Sequence, residues 1–282
     1  MTYRLKRHDG EYRWILDTGN PWHDGQGNFA GYAGSCIDIT EMVDAKRDLE
    51  ERNEELLHFS YRVSHDLVAP LKSIRGLADL SLLSMGDNDM ETARSCQTKI
   101  GTSTAQLETL VGQVLTLAKT DHLGEPSQQL ELGPLLDDMK NLFEAELHQK
   151  SIHWEQDLGV SRITTQPTRI RQIVLNLVSN AVKFCDDTKP VRTIKISTQS
   201  AVRGDLVLTV SDNGIGFDPS LDKRIFEMFF RGHSGQVMGS GLGLYIVKKQ
   251  VERLGGAICV VSCRNDTVFR VVIPDLAKGA TP

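Results

Sequence analysis

A histidine followed directly by an acid, with a proline one helical turn later, stands out in the first half of the chain. These residues are His65, Asp66 and Pro70, within a segment of helical pattern. Proline lacks a backbone N–H, and its ring clashes with the carbonyl four residues back, so we expect the helix to bend at the His–Asp pair. A neutral imidazole is a nucleophile through one ring nitrogen, and an adjacent carboxylate can take up the proton of the other. The bend would open this pair to a reaction partner.

A second group of polar side chains lies on an otherwise apolar helical segment. Asn176, Asn180 and Lys183 are spaced i, i+4 and i+7, so they share one face of the helix. Amide oxygens are suitable ligands for Mg²⁺, and a lysine is suited to phosphate. On this segment alone, an ordinary amphipathic helix with a polar exposed face remains an open alternative.

Two glycine-containing segments complete the set. Asp212, Gly214 and Gly216 follow an apolar strand, where a carboxylate can accept from an exocyclic amine and glycines allow the backbone to approach a flat ring. The 239–243 loop, Gly-Ser-Gly-Leu-Gly, opens a helix and offers free N–H groups to a phosphate. Each segment alone is compatible with an ordinary turn.

The order of these segments resembles the catalytic core of the sensor histidine kinases over about residues 45–274. The stretch around His65 resembles the family's H-box, which implies that His65 accepts the γ-phosphoryl group of ATP and that Asp66 takes up the imidazole proton. Consecutive helical residues point about 100° apart, so this contact needs the bend or a side-chain rotation.

The resemblance also implies the roles of the remaining site residues. Asn176 and Asn180 would bind Mg²⁺ and the phosphates, Lys183 the phosphates, and Asp212 the adenine amine. Gly214 and Gly216 would face the adenine ring. The triphosphate loop would contain Gly239, Gly241 and Gly243. Phe226 and Phe229 would anchor a mobile ATP lid over about 230–240. Arg231 would contact the γ-phosphate.

The chain departs from the commonest family pattern just after His65. Val68 and Ala69 stand where the family often has an arginine and then a threonine or asparagine. The second of these positions usually helps to align the water that hydrolyses a phosphorylated response regulator. Phosphatase activity is therefore in doubt.

The elements that must position these groups begin with a long helix. Met42, Leu49, Leu56 and Val63 recur every seven residues, which indicates a parallel coiled coil, with a solvated amphipathic helix as the alternative. The helical pattern runs to about Ser84 and resumes over 90–121. Such a hairpin leaves apolar faces exposed, so two copies are expected to pack as a four-helix bundle in a parallel homodimer.

The first forty residues read as antiparallel strands, over 11–17 and 29–39, with a turn at 23–28. The segment resembles the C-terminal half of a PAS sensor domain, with 10–14 on one strand and 31–40 on the last. An unrelated small sheet is the alternative.

The second half of the chain reads as an α/β sandwich. Helices are expected over 135–148, 167–185 and 242–254, and strands over 191–201, 206–211, 257–262 and 268–273. The predicted fold class is therefore α+β multidomain: a partial PAS β-sheet over 1–40, a coiled-coil linker over 41–57, a dimerisation hairpin over 58–123 and an α/β sandwich ATP-binding domain over 128–276.

The composition limits the class of protein and its cellular location. The 282 residues include 40% hydrophobic and 24% charged residues, which favours a globular chain, and the net charge of −5 argues against nucleic-acid binding by bulk charge. The five cysteines form no Cys-x-x-Cys pair, which favours a reducing, cytoplasmic setting. No apolar run approaches the ~20 residues needed to span a bilayer, so we expect no membrane contact within this chain.

Taken together, the sequence predicts a PAS-linked sensor histidine kinase. It would phosphorylate itself on His65 with Mg-ATP and pass the group to an aspartate of a separate response regulator. An ATPase of the same nucleotide-binding superfamily, such as gyrase B, is one alternative, although it lacks the H-box hairpin. A scaffold with a dead nucleotide site is the other, and the intact Asn180, Asp212, Gly214 and Gly216 argue against it.

Overall fold

The computed structural model describes residues 1–120, 125–201, 204–232, 240–263 and 266–276. The chain divides into two compact units, Met1–His65 and Asp66–Pro282. Within the described residues, no helix is both long enough and apolar enough to cross a membrane.

The first unit begins with a three-stranded antiparallel sheet in the order β1-β2-β3. Its strands are β1 (Thr2–Lys6), β2 (Tyr12–His23) and β3 (Phe29–Asp38). The turn after β2 is held by Asp24, whose carboxylate accepts from the N–H groups of Gln26 and Asn28. The sequence did not predict β1, and it ended the second strand too early, at Asp17 instead of His23.

Helix α1 (Thr40–Gly86) starts directly after this sheet. Asp38 accepts from the N–H and the hydroxyl of Thr40, and the Thr40 hydroxyl accepts from the N–H of Trp14 on β2. The start of the helix is therefore tied to the sheet through side-chain hydrogen bonds. The helix continues through Pro70 without interruption.

A helical hairpin opens the second unit, as the sequence predicted. The end of α1 is followed by α2 (Met90–Thr120), and Asp89 between them accepts from the N–H of Thr92. Asn88 takes a left-handed conformation, φ 65°, which an asparagine tolerates in a turn. The buried Ala93 and Cys96 on α2 and Ser81 on α1 mark where the two helices pack.

The rest of the second unit is an α/β domain. A five-stranded sheet has the order β5-β7-β8-β10-β9, and β4 pairs with β6 in a separate ribbon. The elements are β4 (Gln128–Glu131), α3 (Leu132–Leu142), α4 (Glu144–Gln149), β5 (Ile152–Leu158), β6 (Arg162–Thr165), α5 (Pro167–Lys183), β7 (Arg192–Ser200), β8 (Leu206–Asp212), α6 (Gly243–Arg253), β9 (Ala257–Cys263) and β10 (Asp266–Ile273).

One face of this sheet packs against the helices. Ile170 and Leu177 on α5, Val247 on α6, and Ile196 and Val210 on the strands are fully buried in one apolar core. The polar face of α5 is therefore turned away from the sheet. The structure thus confirms the α/β domain and the hairpin that the sequence predicted.

One predicted helix and three strands of this domain differ from expectation. The single helix predicted over 135–148 is wrong: it is divided at Phe143, which leaves the helical conformation with ψ 12°. Strands β4, β5 and β6 were not predicted. β4 and β6 have only four residues each, and the alternation of β5 is broken by the polar run Glu155–Asp157, so neither length nor periodicity identified them.

Candidate nucleotide-binding site

The asparagine face of α5 meets the start of α6. A β-carbon placed on Gly243 would lie 3.2 Å from Oδ1 of Asn176 and 4.0 Å from Oδ1 of Asn180. The Nδ2 group of Asn176 donates to the carbonyl of Gln172 at 2.8 Å, which leaves its Oδ1 for other partners. The structure thus brings together two amide oxygens and the N-terminus of a helix, which are groups suited to a metal-bound phosphate.

The loop before α6 is held by two further contacts. The hydroxyl of Ser240 accepts from the N–H of Leu242 at 3.1 Å and donates to Oε1 of Gln113 on α2. Gly241 has φ +70°, which favours glycine. Gly239, also predicted in this loop, lies outside the described residues.

Both ends of the predicted ATP lid are anchored at one point. The N–H of Phe229 donates to the carbonyl of Gly241 at 3.1 Å, and a β-carbon on Gly241 would lie 2.6 Å from the carbonyl carbon of Phe229. Phe229 is buried and has φ 62°, and Phe226 packs edge-to-face on Phe269 of β10. The sequence predicted Phe226 and Phe229 as anchors of the lid; these contacts are compatible with that role, which stays a prediction. Residues 233–239 of the lid lie outside the described residues.

Asp212 ends β8 as a buried carboxylate. Asp212 is only 9% exposed, and burial raises its pKa to about 6. The negative charge of the nearby Asp266 also raises this pKa. The N–H of Gly214, which donates to Oδ1 at 2.9 Å, and the ammonium of Lys189 act in the opposite direction. A buried acceptor of this kind can select a ligand that offers an N–H donor.

Gly214 packs against the protein backbone at the end of α5. A β-carbon there would lie 2.2 Å from the carbonyl oxygen of Phe184 and 2.7 Å from Oδ1 of Asp212. The position therefore requires glycine for packing, in addition to any contact with a flat ring. Gly216 is also buried and has φ 62°, in the left-handed region that favours glycine.

Lys189 and the side chain of Asn213, to which the sequence analysis assigned no role, support the loop that follows Asp212. The ammonium of Lys189 donates to the carbonyls of Asn213 and Gly214. The side chain of Asn213 accepts from the N–H of Thr193 at 2.8 Å and donates to the carbonyl of Val191 at 2.9 Å. No spacing rule connects Lys189 or Thr193 to the Asp-x-Gly-x-Gly segment, so only the fold reveals these contacts.

Two cations lie near each other at the end of α5. Lys183 is half-buried, and its pKa is lowered by burial and then by the charge of Arg231. Like charges placed together in a partly desolvated site are stabilised by an anion. Both residues were predicted to contact phosphates.

His65 and Asp66 lie on α1. His65 is exposed and Asp66 is half-buried. Ala69, one turn after His65, is exposed as well, so the two side chains share an accessible face of the helix. This exposure suits a residue that must be reached by a second domain or protein.

The residues present fit Mg-ATP. The Oδ1 atoms of Asn176 and Asn180, which both lie near the N-terminus of α6, are donors that fit Mg²⁺ beside phosphates. Asp212 fits an exocyclic amine, and Lys183 with Arg231 fits an anion.

Comparison with known proteins agrees with this geometry. Residues 165–277 match the family described as "Histidine kinase-, DNA gyrase B-, and HSP90-like ATPase". The autoinducer 2 sensor kinase/phosphatase LuxQ of Vibrio vulnificus (strain YJ016) is 31% identical over 264 residues, which cover 86% of this chain and 30% of LuxQ. The virulence sensor protein BvgS of Bordetella parapertussis is 28% identical over 297 residues, which cover 96% of this chain and 23% of BvgS.

Solved structures share the fold. Histidine kinase ThkA, in its complex with response regulator protein TrrA, matches with a TM-score of 0.64 and 22% identity over 99% of this chain and 79% of that one. Histidine kinase AdeS of Acinetobacter baumannii matches with a TM-score of 0.57 and 21% identity over 75% of this chain and 98% of that one.

The chain spans about a quarter of the length of the curated relatives that it matches first. The matched family covers the domain that contains Asn176, Asp212 and Gly243, and the curated relatives align through the helical hairpin as well. The chain is therefore similar to sensor histidine kinases from the helical hairpin through the α/β domain.

Proposed function

We propose that this chain is a protein-histidine kinase that uses Mg-ATP to phosphorylate His65 and then transfers the phosphoryl group to an aspartate of a response regulator. The observation that carries the proposal is the presence of an exposed His65, followed by Asp66, on the hairpin helix of a chain that also holds the Asn176–Asp212–Gly243 site.

Nucleotide binding would use three parts of the site. Asp212 accepts from the adenine amine, and the N-terminus of α6 with Lys183 and Arg231 holds the phosphates. Asn176 and Asn180 hold Mg²⁺, which neutralises phosphate charge when it is bound. These groups come from β8, α5, α6 and the start of the lid, and the close approaches at Gly243 and Gly214 bring α6 to α5 and the end of β8 to Phe184.

Phosphoryl transfer would occur at the imidazole of His65. One ring nitrogen forms a bond to the γ-phosphorus as the bond from that phosphorus to the bridging oxygen of ADP breaks. Asp66 takes the proton from the other ring nitrogen. The phosphohistidine then passes its phosphoryl group to a receiver aspartate, which is a second in-line displacement at the same phosphorus.

Assembly is part of the proposal. Met42, Leu49 and Leu56 are 59–68% exposed on the single chain, which suits a parallel coiled-coil homodimer formed along α1. The sheet of residues 2–38 would be the C-terminal part of a PAS domain. A cytoplasmic location is favoured by the cysteines, since Cys36, Cys96, Cys185 and Cys259 are free thiols.

Incubation with γ-labelled ATP and Mg²⁺ tests the kinase against both alternatives. The protein should become labelled, and the label should be lost in acid and kept in base, as expected of a phosphoramidate. α-Labelled ATP is the control for retained nucleotide and should leave no label. Release of phosphate without protein label would indicate a gyrase-like ATPase, and no turnover at all would indicate a scaffold.

A further inference from the structure

A buried arginine links α5 to α6 at the end away from the nucleotide site. Nη1 of Arg169 donates to Oε1 of Gln250 at 2.6 Å, and Nε of Arg169 donates to Oε1 of Gln166. Arg169 is 8% exposed and Gln250 only 1%. A buried guanidinium and a buried amide are costly to place inside a protein unless they bond each other, so this contact is strongly constrained.

A second contact between the same two helices joins Asn176 on α5 to Gly243 at the start of α6. Arg169 lies seven residues before Asn176 on α5, and Gln250 lies seven residues after Gly243 on α6. Seven residues are two helical turns, so each pair shares a helix face. The two helices are therefore antiparallel along this seam, with Arg169–Gln250 at one end and Asn176–Gly243 at the other.

The middle of the seam does not by itself fix how far α6 slides along α5. Ile173 on α5 and Ile246 and Val247 on α6 are fully buried aliphatic side chains, whose packing is non-directional. A hydrogen bond to a buried guanidinium depends steeply on distance and angle. A slip of a single residue would move α6 by about 1.5 Å, more than a phosphate site tolerates.

We propose that Arg169 and Gln250 form a positioning pair that fixes the register of α6 on α5, and thereby holds the N-terminus of α6 opposite Asn176 and Asn180 for the nucleotide phosphates. The inference rests on the proposed function, because it assigns the pair to the phosphate half of the same site. Neither residue contacts the nucleotide, and both act through the helices that carry them.

The two halves of the site should respond differently to loss of the pair. The phosphate half depends on how α5 and α6 meet at Gly243. The adenine half depends on Asp212, which β8 carries and Gly214 and Lys189 support. Loss of the register should therefore weaken Mg-ATP binding and leave adenosine binding nearly unchanged. A general loss of folding would weaken both.

The experiment compares Mg-ATP and adenosine affinities of the full chain by calorimetry, with melting temperature measured in parallel. Gln250→Met keeps the volume and removes the acceptor, and it should weaken Mg-ATP by about tenfold or more with adenosine within about twofold. Gln250→Glu keeps an acceptor for Arg169 and should restore Mg-ATP affinity. Arg171→Met is the matched control, since Arg171 is an exposed arginine on α5 that pairs with Asp138, and it should change neither affinity.

If Gln250→Met does not fold, the double variant Arg169→Met/Gln250→Met also removes the guanidinium whose Nη1 loses its Gln250 acceptor, and it gives the same test. Equal weakening of both ligands, or unchanged Mg-ATP affinity in a folded variant, would overturn the positioning role. This experiment measures binding and not phosphorylation. A parent chain that binds Mg-ATP but incorporates no label would reject the kinase proposal, and the test of the positioning pair would still be decisive.

Discussion

Asp212 combines a cost in folding stability with a proposed role in binding adenine. Its carboxylate is buried beside Asp266, and its pKa of about 6 means that the folded protein holds a proton there at pH values where an unfolded aspartate has lost it. A protonated carboxyl group is a poorer acceptor for the adenine amine than the carboxylate is. Binding of the adenine amine therefore favours the ionised carboxylate, whereas stability of the fold favours the protonated carboxyl group.

Adenosine affinity should consequently rise with pH through about 6. Adenosine is the suitable ligand because it carries no group that titrates between pH 5 and 8, unlike ATP. Between pH 8 and pH 5 we expect a loss of about tenfold, since most of the carboxylate becomes protonated. Calorimetric titrations across this range test it. A flat profile in the parent chain would contradict the assigned role.

Asp212→Asn should act in opposite directions on stability and binding. Between the ordinary pKa of 3.8 and the raised value, the folded state binds more protons than the unfolded state, so the carboxylate lowers stability progressively as pH rises through this window. The neutral amide still accepts from Gly214, so the free variant should be more stable at pH 7.5, by up to about 3 kcal/mol. Its adenosine affinity should fall by about ten- to hundredfold. Denaturant unfolding and calorimetry measure both, and a variant that loses stability would contradict the argument.

Gly214→Ala should destabilise the domain through the contact with Phe184. A β-carbon would meet a backbone carbonyl oxygen at 2.2 Å, which no side-chain rotation relieves. We expect a loss of about 1–3 kcal/mol or more in the free energy of unfolding. Gly101→Ala on α2 is the control, because nothing lies within 4 Å of its β-carbon, and it should be neutral or stabilising by up to about 1 kcal/mol. Equal effects of the two substitutions would show that the close approach is relieved elsewhere.

Ala69→Thr tests whether the chain lacks a group for the reverse reaction. Ala69 shares the exposed face of α1 with His65, and its methyl group cannot hold a water by hydrogen bonding. The parent should be a net kinase with weak phosphatase activity, and the threonine should raise the decay of a phosphorylated cognate regulator in the presence of ADP. Autophosphorylation should change little. Fast decay caused by the parent chain would show that another group positions the water.

At the scale of elements, the heptad stripe of α1 is the feature that most requires a partner. Met42, Leu49 and Leu56 are exposed on the single chain, and burying such side chains stabilises association by about 1.5–3 kcal/mol each. Light scattering at micromolar concentration should give about twice the monomer mass of 31.3 kDa.

The double variant Leu49→Asp/Leu56→Asp should shift this assembly toward the monomer. Arg47→Ala/Glu51→Ala is the control, since this exposed i, i+4 pair lies on the side of α1 opposite the stripe and should leave the mass unchanged. A parent chain that is monomeric at these concentrations would refute the coiled-coil dimer and favour a solvated amphipathic helix.

The elements also show where the sequence is informative. The i, i+4, i+7 spacing on α5 and the glycine-rich start of α6 predicted two parts of one site, because helical periodicity determines which residues share a face. Their meeting at Gly243 required the packing of α6 on α5, which depends on residues far apart in the chain. Arg169 and Gln250 are separated by 81 positions and belong to no spacing rule, so only the fold pairs them. The short strands β4 and β6 escaped prediction because four residues carry too little periodicity.

At the scale of the whole molecule, the chain contains an exposed histidine on a hairpin helix and a candidate nucleotide site on an α/β domain. The sensor histidine kinase family contains both parts in this order. The chain's own Asn176, Asp212 and Gly243 geometry supports nucleotide binding, but binding alone does not distinguish a kinase from an ATPase. The distinguishing property is transfer to His65.

The most direct test maps the phosphoryl group after incubation with γ-labelled ATP and Mg²⁺. His65→Gln should abolish the acid-labile label and leave calorimetric ATP affinity within about twofold, because the proposed nucleotide contacts come from α5, β8, α6 and Arg231. His58→Gln is the matched control, since His58 precedes it by two turns on the same helix, and it should label like the parent. Label that persists in His65→Gln, or that resides on a serine or threonine, would contradict the central claim.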